Sequence, residues 1–338
     1  MGKSLVMDET LEDSSCLMPR TTGEIVPLLE SNDPVMRRVL EAAKRAAASD
    51  ATILLTGESG TGKNILAHQI HLWSVRAECP FVTVNCTTHS DHLLESELFG
   101  HTRGAFDGAI QDKLGRLEAA HGGSIFLDEI ADLTAPLQTK LLHFIKEQTF
   151  ERMGSENTIT VDTRIIAGSN RDLVSEVAAR RFREDLYYRL GVITLRVPPL
   201  RERPGDILPL TIRILADAAI RNHRPGLRLS PEASSVLLRY RWRGNIRELR
   251  NVIERAVVLC LSDVVTPEHL PDLLCNDSYS AISPSPSLDD IEREHIIRVM
   301  AESPTLESAA HKLGINVATL WRRRKRYGLC SPQGVPRN

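Results

Sequence analysis

The sequence lacks most of what would tie it to a membrane, a metal or an oxidising compartment. Its six cysteines (16, 79, 86, 260, 275 and 330) include no CxxC pair, and no histidines stand near them at zinc spacing. That excludes a disulfide framework and a cysteine-based metal site, and leaves buried or incidental thiols in a reducing compartment. No apolar run approaches the ~20 residues needed to span a bilayer. The opening MGKSLVMDETLEDSS carries no apolar stretch of a secretory signal. Met1-Gly2 begins like a myristoylation site, but Val6 stands where Ser or Thr is required. A global excess of basic residues is absent too, since the net charge is −2. Contact with nucleic acid must then come from a local patch. The expected setting is the cytoplasm, without membrane association.

What is present is an ordinary globular composition, 42% hydrophobic and 25% charged, in 338 residues. That length predicts two or three domains. Residues 1–24 are polar and pattern-poor, a short arm too small to form a receiver or ligand-binding fold. From residue 25 to 198 short apolar runs alternate with helical patterns. ATILLT (51–56), FVTVN (81–85), SIFLDE (124–129), TRIIAGS (163–169) and VITLRV (192–197) read as buried strands. VMRRVLEAAKRAAA (35–48) reads as a helix after the start signal Asn32-Asp33-Pro34. The alternation predicts an α/β fold with a parallel sheet and crossover helices. After Pro198-Pro199 the strands are expected to stop, and residues 199–273 read as a smaller all-α region. A Ser/Pro-rich linker follows at 274–287. A compact helical module spans 288–330, with a tail at 331–338.

GESGTGKN (57–64) lies between a strand and a helix, the context in which glycines turn successive backbone N–H groups toward phosphates. The candidate nucleotide-binding residues are Gly57, Glu58, Ser59, Gly60, Thr61, Gly62, Lys63 and Asn64. Lys63 is expected at the β- and γ-phosphates of ATP. Asn64 replaces the usual Ser or Thr, so the Mg²⁺-binding hydroxyl is missing there. Downstream, SIFLDE ends an apolar strand in two carboxylates. Asp128 is the expected Mg²⁺ holder, and Glu129 the group that polarises the attacking water. Together the two motifs predict an ATPase. RRFREDLYYRL (180–190) offers Arg183 and Arg189, which by pattern alone read as a solvated basic face.

The ordered blocks GESGTGK, ESELFGH, GAFDGA, GGSIFLDEI, FREDLYYRL, PPLRER and RGNIREL resemble the AAA+ activators of sigma-54 RNA polymerase, the bacterial enhancer-binding proteins. The likeness spans roughly residues 25–273 and implies an AAA+ core (25–198) with a helical lid (199–273). In that family a non-hydroxyl residue at the Asn64 position is common. The resemblance implies that Asn85 restrains Glu129, although a core amide bonding a strand end reads the same way. It makes Asn170 the sensor of γ-phosphate, Arg183 and Arg189 fingers acting on a neighbouring subunit's nucleotide, and Arg247 the second sensor. Trans-acting fingers imply a ring, expected to be a hexamer. Arg243 departs from the family's usual Pro and puts the geometry of that turn in question.

Residues 305–329 have a helix-turn-helix layout, with a short helix at 306–313, a turn at Gly314 and a second helix from Val317. The second helix carries consecutive cations, so the module reads as a DNA-binding element or as a solvated cationic bundle. It resembles the Fis-type module of the same family, whose partner is double-stranded enhancer DNA bound by dimers. Asn316, Thr319, Arg322, Arg323, Arg324 and Arg326 are the candidate DNA contacts, and IEREHIIRVM (291–300) is expected to pack between protomers. The leading reading is an ATP-hydrolysing activator that remodels sigma-54 polymerase from closed to open complex. One alternative is a DNA-binding regulator whose ATPase serves oligomerisation or ligand switching only. Another is a remodeller of other proteins. If the chain starts naturally at Met1, control is expected from a regulatory partner protein, a co-activator subunit or expression level.

The resemblance also places Gly104, Ala105, Phe106, Asp107, Gly108 and Ala109 at the family's sigma-54-contacting loop. There Phe106 is expected to be presented rather than packed in a local hairpin. Asp107 stands where the family presents Thr, exchanging a hydroxyl for an acceptor-only anion. Asp107→Thr is expected to preserve ATP hydrolysis and to maintain or strengthen sigma-54 binding, as measured by steady-state turnover and a pull-down with purified sigma-54.

Overall fold

The computed structural model describes residues 30–87, 90–275, 288–301, 303 and 305–327. The expected arm and tail and most of the expected linker lie outside these residues. The chain divides after Pro271 into two compact units.

The first unit opens where the sequence placed a helix start. Helix α1 (Pro34–Ala47) begins with Asp33, whose carboxylate accepts from the Val35 N–H at 2.9 Å. Then come β1 (Ile53–Thr56), α2 (Lys63–Leu72), β2 (Phe81–Asn85) and α3 (Asp91–Phe99). A narrow antiparallel neck of β3 (Gly100–His101) and β4 (Lys113–Leu114) carries the 104–109 loop. It leads through α4 (Arg116–Ala119) to β5 (Ser124–Asp128) and α5 (Ala135–Glu147). A second hairpin, β6 (Thr149–Glu151) with β7 (Thr158–Thr160), precedes β8 (Arg164–Ser169). Helices α6 (Leu173–Ala178) and α7 (Glu184–Leu190) then lead to β9 (Ile193–Arg196).

All five expected strands form one parallel sheet in the order β2-β5-β8-β1-β9. Their runs are continuously apolar because both faces are covered. On β5, Ile125 and Leu127 pack with Leu94, Leu98 and Phe144 on one face, while Phe126 packs with Ile53, Leu66 and Ile70 on the other. The alternation is the two-residue period of a strand. This packing sets the carboxyl ends of β1, β5 and β8 side by side, and the functional loops emerge there.

The lid consists of α8 (Ile207–Arg221), α9 (Pro231–Arg239) and α10 (Asn245–Leu259). One expectation needs correction: strands do not stop entirely after Pro199. A two-residue parallel pair, β10 (Arg228–Leu229) and β11 (Val264–Val265), ties the loop before α9 to the segment after α10. Such short pairs bury too little side chain to leave a pattern.

The second unit contains α11 (Asp272–Cys275), α12 (Leu288–Ala301), α13 (Leu306–Lys312) and α14 (Val317–Arg326). Thr305 caps α13 through the Ser308 N–H, Gly314 turns the chain at φ 64°, and Asn316 caps α14 through the Ala318 N–H. Ile296, Val299, Ala309, Ala310 and Leu320 make the core of this unit. Ile296 and Val299 are therefore buried within the protomer rather than left for a partner, whereas Ile297 is exposed. Among the described residues no helix is long and apolar enough to cross a membrane.

Candidate nucleotide-binding site

The 57–64 loop joins β1 to the first turn of α2, so its backbone N–H groups collect at a helix N-terminus. Gly57, Gly60 and Gly62 have φ of 153°, 77° and 100°. At Gly57 and Gly60 a side chain is excluded by space as well, because a Cβ would lie 2.6 Å from the Val197 carbonyl and 2.5 Å from the Gly244 carbonyl. Lys63 is 5% exposed. Its ammonium donates to the Gly57 carbonyl at 3.0 Å and the Glu58 carbonyl at 3.4 Å, with the Glu129 carboxylate 3.6 Å away. A buried cation held mainly by carbonyls is short of an anion. The cradle therefore fits a phosphate chain on its own geometry.

Glu129 closes the opposite side. Its backbone is left-handed, φ 56° and ψ 48°, a conformation that costs a non-glycine residue roughly 1–3 kcal/mol. Its carboxylate accepts from the Asn170 N–H at 2.9 Å. Burial raises the Glu129 pKa, and the Lys63 ammonium opposes that shift. Asp128 accepts from the Glu129 N–H at 3.1 Å and stands opposite Asn85 in the β2–β5 register. The Asn85 side chain accepts from the Thr87 N–H and hydroxyl. Gly168 of β8 makes room for Asp128, since a Cβ there would lie 2.8 Å from its carboxylate. Asn64 is exposed, and its side-chain oxygen accepts from the Ile65 N–H. Among the described residues no group of three or more His, Cys, Asp or Glu side chains is arranged to hold a metal.

From the lid, Asn245 grips the loop. It is fully buried and left-handed at φ 54°. Its amide donates to the Ser59 carbonyl at 3.0 Å and the Glu58 carboxylate at 3.2 Å, and accepts from the Leu200 N–H at 2.8 Å. Arg247 donates to the Ser59 hydroxyl at 2.8 Å. Arg201 forms a two-pronged pair with Glu58, which lowers the Glu58 pKa. Arg203, 3% exposed, donates to the Thr61 carbonyl at 2.6 Å. The unusual Arg243 is accommodated by a left-handed Trp242 and by Glu248, which caps the Gly244 N–H at 2.8 Å. None of Asn245, Arg201, Arg203 or Gly168 was singled out from sequence. The first three lie inside the quoted blocks RGNIREL and PPLRER, and nothing local marks Gly168.

Arg183 and Arg189 are both exposed at α7, far along the chain from the cradle. Arg183 pairs with Asp185 at 2.8 Å and donates to the Thr139 hydroxyl at 3.2 Å. The 104–109 loop closes on itself through Gly104 N–H to the Ala109 carbonyl, 2.8 Å, and Ala109 N–H to the Phe106 carbonyl, 3.0 Å. Phe106 is half-buried and its ring meets His101 edge-on at 5.0 Å between centroids. Phe106 is thus neither fully presented nor packed into a core: in this conformation the closed turn rests its ring against the neck. Asp107 is exposed, and the neighbouring Ile110 is 83% exposed.

On α14 the outward face is formed by Ala318, Trp321, Arg322, Lys325 and Arg326, while Thr319, Arg323 and Arg324 are half-buried. Arg323 is engaged by Glu292 of α12, and Asn316 spends its side-chain oxygen as a cap. Trp321 is exposed, with Lys325 over its ring at 5.5 Å, and the surrounding run of cations masks it in the sequence.

Comparison with known proteins covers both units. A sigma-54 interaction domain model matches residues 29–196, an AAA+ ATPase lid domain model 201–285, and a Fis family bacterial regulatory protein model 287–327. The alginate biosynthesis transcriptional regulatory protein AlgB of Pseudomonas aeruginosa is 52% identical over 303 residues, covering 89% of this chain and 68% of AlgB. The transcriptional regulatory protein ZraR of Salmonella typhimurium is 42% identical over 327 residues, covering 93% and 73%. Among solved structures, NtrX of Brucella abortus in complex with ATP superposes with a TM-score of 0.68 at 33% identity, covering 91% and 70%.

Asn245→Ala would strand the Leu200 N–H and the Ser59 carbonyl. It is expected to lower unfolding free energy by about 1–3 kcal/mol in a denaturant titration and to weaken ATP binding in the same preparation.

Proposed function

The chain belongs to the sigma-54-dependent transcriptional activators, with an AAA+ core, its lid and a Fis-type helix-turn-helix domain, and from that premise we propose that it is an ATP-driven remodeller of sigma-54 RNA polymerase. It binds enhancer DNA upstream of the promoter as dimers, assembles into a hexameric ring in the bacterial cytoplasm, and converts closed polymerase complexes to open ones. One observation carries the reading. The closed loop bearing Phe106 rises on the β3–β4 neck from the same α/β unit that holds the Lys63–Glu129–Asn170 constellation, which supports a phosphate site and an exposed tip working as parts of one unit.

In this proposal residues 57–64 hold ATP, with Lys63 drawn to its terminal phosphates and Arg247 reaching from the lid. Asp128 would hold Mg²⁺, whose charge would offset that of the phosphates. Glu129 takes the proton of the attacking water, Asn170 links Glu129 to the end of β8, and Asn85 stands beside Asp128 as the restraint on that centre. Arg183 and Arg189 serve a neighbouring subunit, where such a charge is worth ~10³–10⁵ in rate. The 104–109 loop contacts sigma-54 and changes height with nucleotide state. Asp107 favours a second reading, a DNA-binding regulator that no longer drives sigma-54, because its exposed anion replaces the hydroxyl at the contact tip.

An assay of ATP-dependent open-complex formation on a sigma-54 promoter separates the two. Open complexes are expected, and robust ATP turnover without them would favour the second reading. The pH profile gives an independent check. A base with a raised pKa protonates earlier on acidification, so hydrolysis should fall at a pH above the ordinary glutamate range of ~4.3. Glu129→Gln should abolish turnover and retain ATP binding.

A further inference from the structure

Gln138 lies on the buried face of α5 between Leu137 and Leu141, where an apolar side chain would complete the packing. It is instead an amide, 1% exposed, with three hydrogen bonds to two different segments. Its nitrogen donates to the Leu133 carbonyl at 2.8 Å and the Arg181 carbonyl at 3.0 Å, and its oxygen accepts from the Arg183 N–H at 2.8 Å. Leu133 ends the short turn that begins at Glu129. That turn is fastened to the end of β8 through Asp132–Arg171 at 2.7 Å and Glu129–Asn170 at 2.9 Å. The adjacent Thr139 accepts from the Arg183 guanidinium. One turn of α5 therefore holds both the backbone and the side chain of Arg183, and joins them to the segment that carries Glu129.

A buried amide is expensive to desolvate and is retained cheaply only when all its partners are fixed. Here the partners are the carboxyl side of β5 and the approach to α7. We propose that Gln138 is a positioning residue that couples the state of a subunit's own Glu129 turn to the placement of the Arg183 it offers to its neighbour. The inference rests on the reading of Arg183 as a finger acting in trans. A rearrangement of the Glu129 turn in one subunit then shifts the Leu133 carbonyl, the amide follows, and the segment 181–183 follows the amide. Hydrolysis in adjacent subunits is linked through this side chain.

The test uses full-length chains. Gln138→Leu removes all three bonds, and Gln138→Glu, of the same shape, removes both donors. Both variants should bind ATP with wild-type affinity while turnover falls on the order of 10²-fold, the scale of a misplaced catalytic group. Each is then mixed with Lys63→Ala subunits, which cannot use ATP but carry an intact finger. Activity should rise several-fold above either protein alone, because a Gln138 variant's own site is sound and borrows its neighbour's arginine. Arg183→Ala mixed with Lys63→Ala is the control for trans action. No rescue in the control overturns the trans reading itself. Rescue in the control without rescue of the variant that retains folding, or wild-type turnover in either variant, overturns the role of Gln138.

Discussion

The buried amide of Asn245 is the contact on which the nucleotide site depends. It sits 187 residues from Glu58 in the chain, yet bonds that side chain, the Ser59 carbonyl and the Leu200 N–H at once. Its left-handed backbone is the kind of strain that persists only when neighbours over-determine it. The Gly60 carbonyl accepting from the Ile246 N–H at 2.9 Å adds a backbone bond to the same seam. Behind the seam, Arg203 holds Thr61 while Asp206 receives the Ser31 hydroxyl and the Asn32 N–H. The phosphate loop is thereby gripped by the lid, which is itself tied to residues 31 and 32.

The clamp contrasts with the other wall of the site, where Lys63 and Glu129 face each other at 3.6 Å without a close hydrogen bond. Burial disfavours the ionised carboxylate there, and the ammonium holds it only partly in check. A rigid loop on one side and a poorly paired cation on the other make a seat that gains from an anion. The same contrast recurs at the edges. Arg183 rests on Asp185 and Thr139, and Phe106 rests on His101, whose ring nitrogen is bonded to the Ser96 hydroxyl at 2.7 Å. Exposed ion pairs and edge contacts of this kind are weak, and binding of a partner can displace them.

The sheet was legible in the sequence because each strand is a short apolar run between turn signals, and every run found its place. The helix start at Asp33 was equally local, a side chain bonding an N–H two residues on, whereas the caps Thr305 and Asn316 were not read as such. The lid grip was not legible in the same way. Asn245, Arg201 and Arg203 are unremarkable residues until the fold brings them to a loop more than 140 positions earlier. Gln138 hides inside an apolar helix pattern, and only its buried partners reveal it. Phe106 was legible as a loop residue between glycines, but its docking on His101 depends on a turn closure that composition does not encode. Arg323 was read as a DNA contact from its charge and its place near the start of the second helix, and its ion pair with Glu292, thirty-one positions upstream, was not legible.

The central claim is that nucleotide chemistry at the cradle is converted into movement of the 104–109 tip. Amide hydrogen exchange reads this directly at Gly104 and Ala109, whose N–H groups close the loop. In the assembled protein, exchange at these two amides should be faster with ADP and aluminium fluoride, a mimic of the transferring phosphoryl, than with ADP alone, as Phe106 leaves His101. Identical protection in both states, with the analogue bound, would contradict the account.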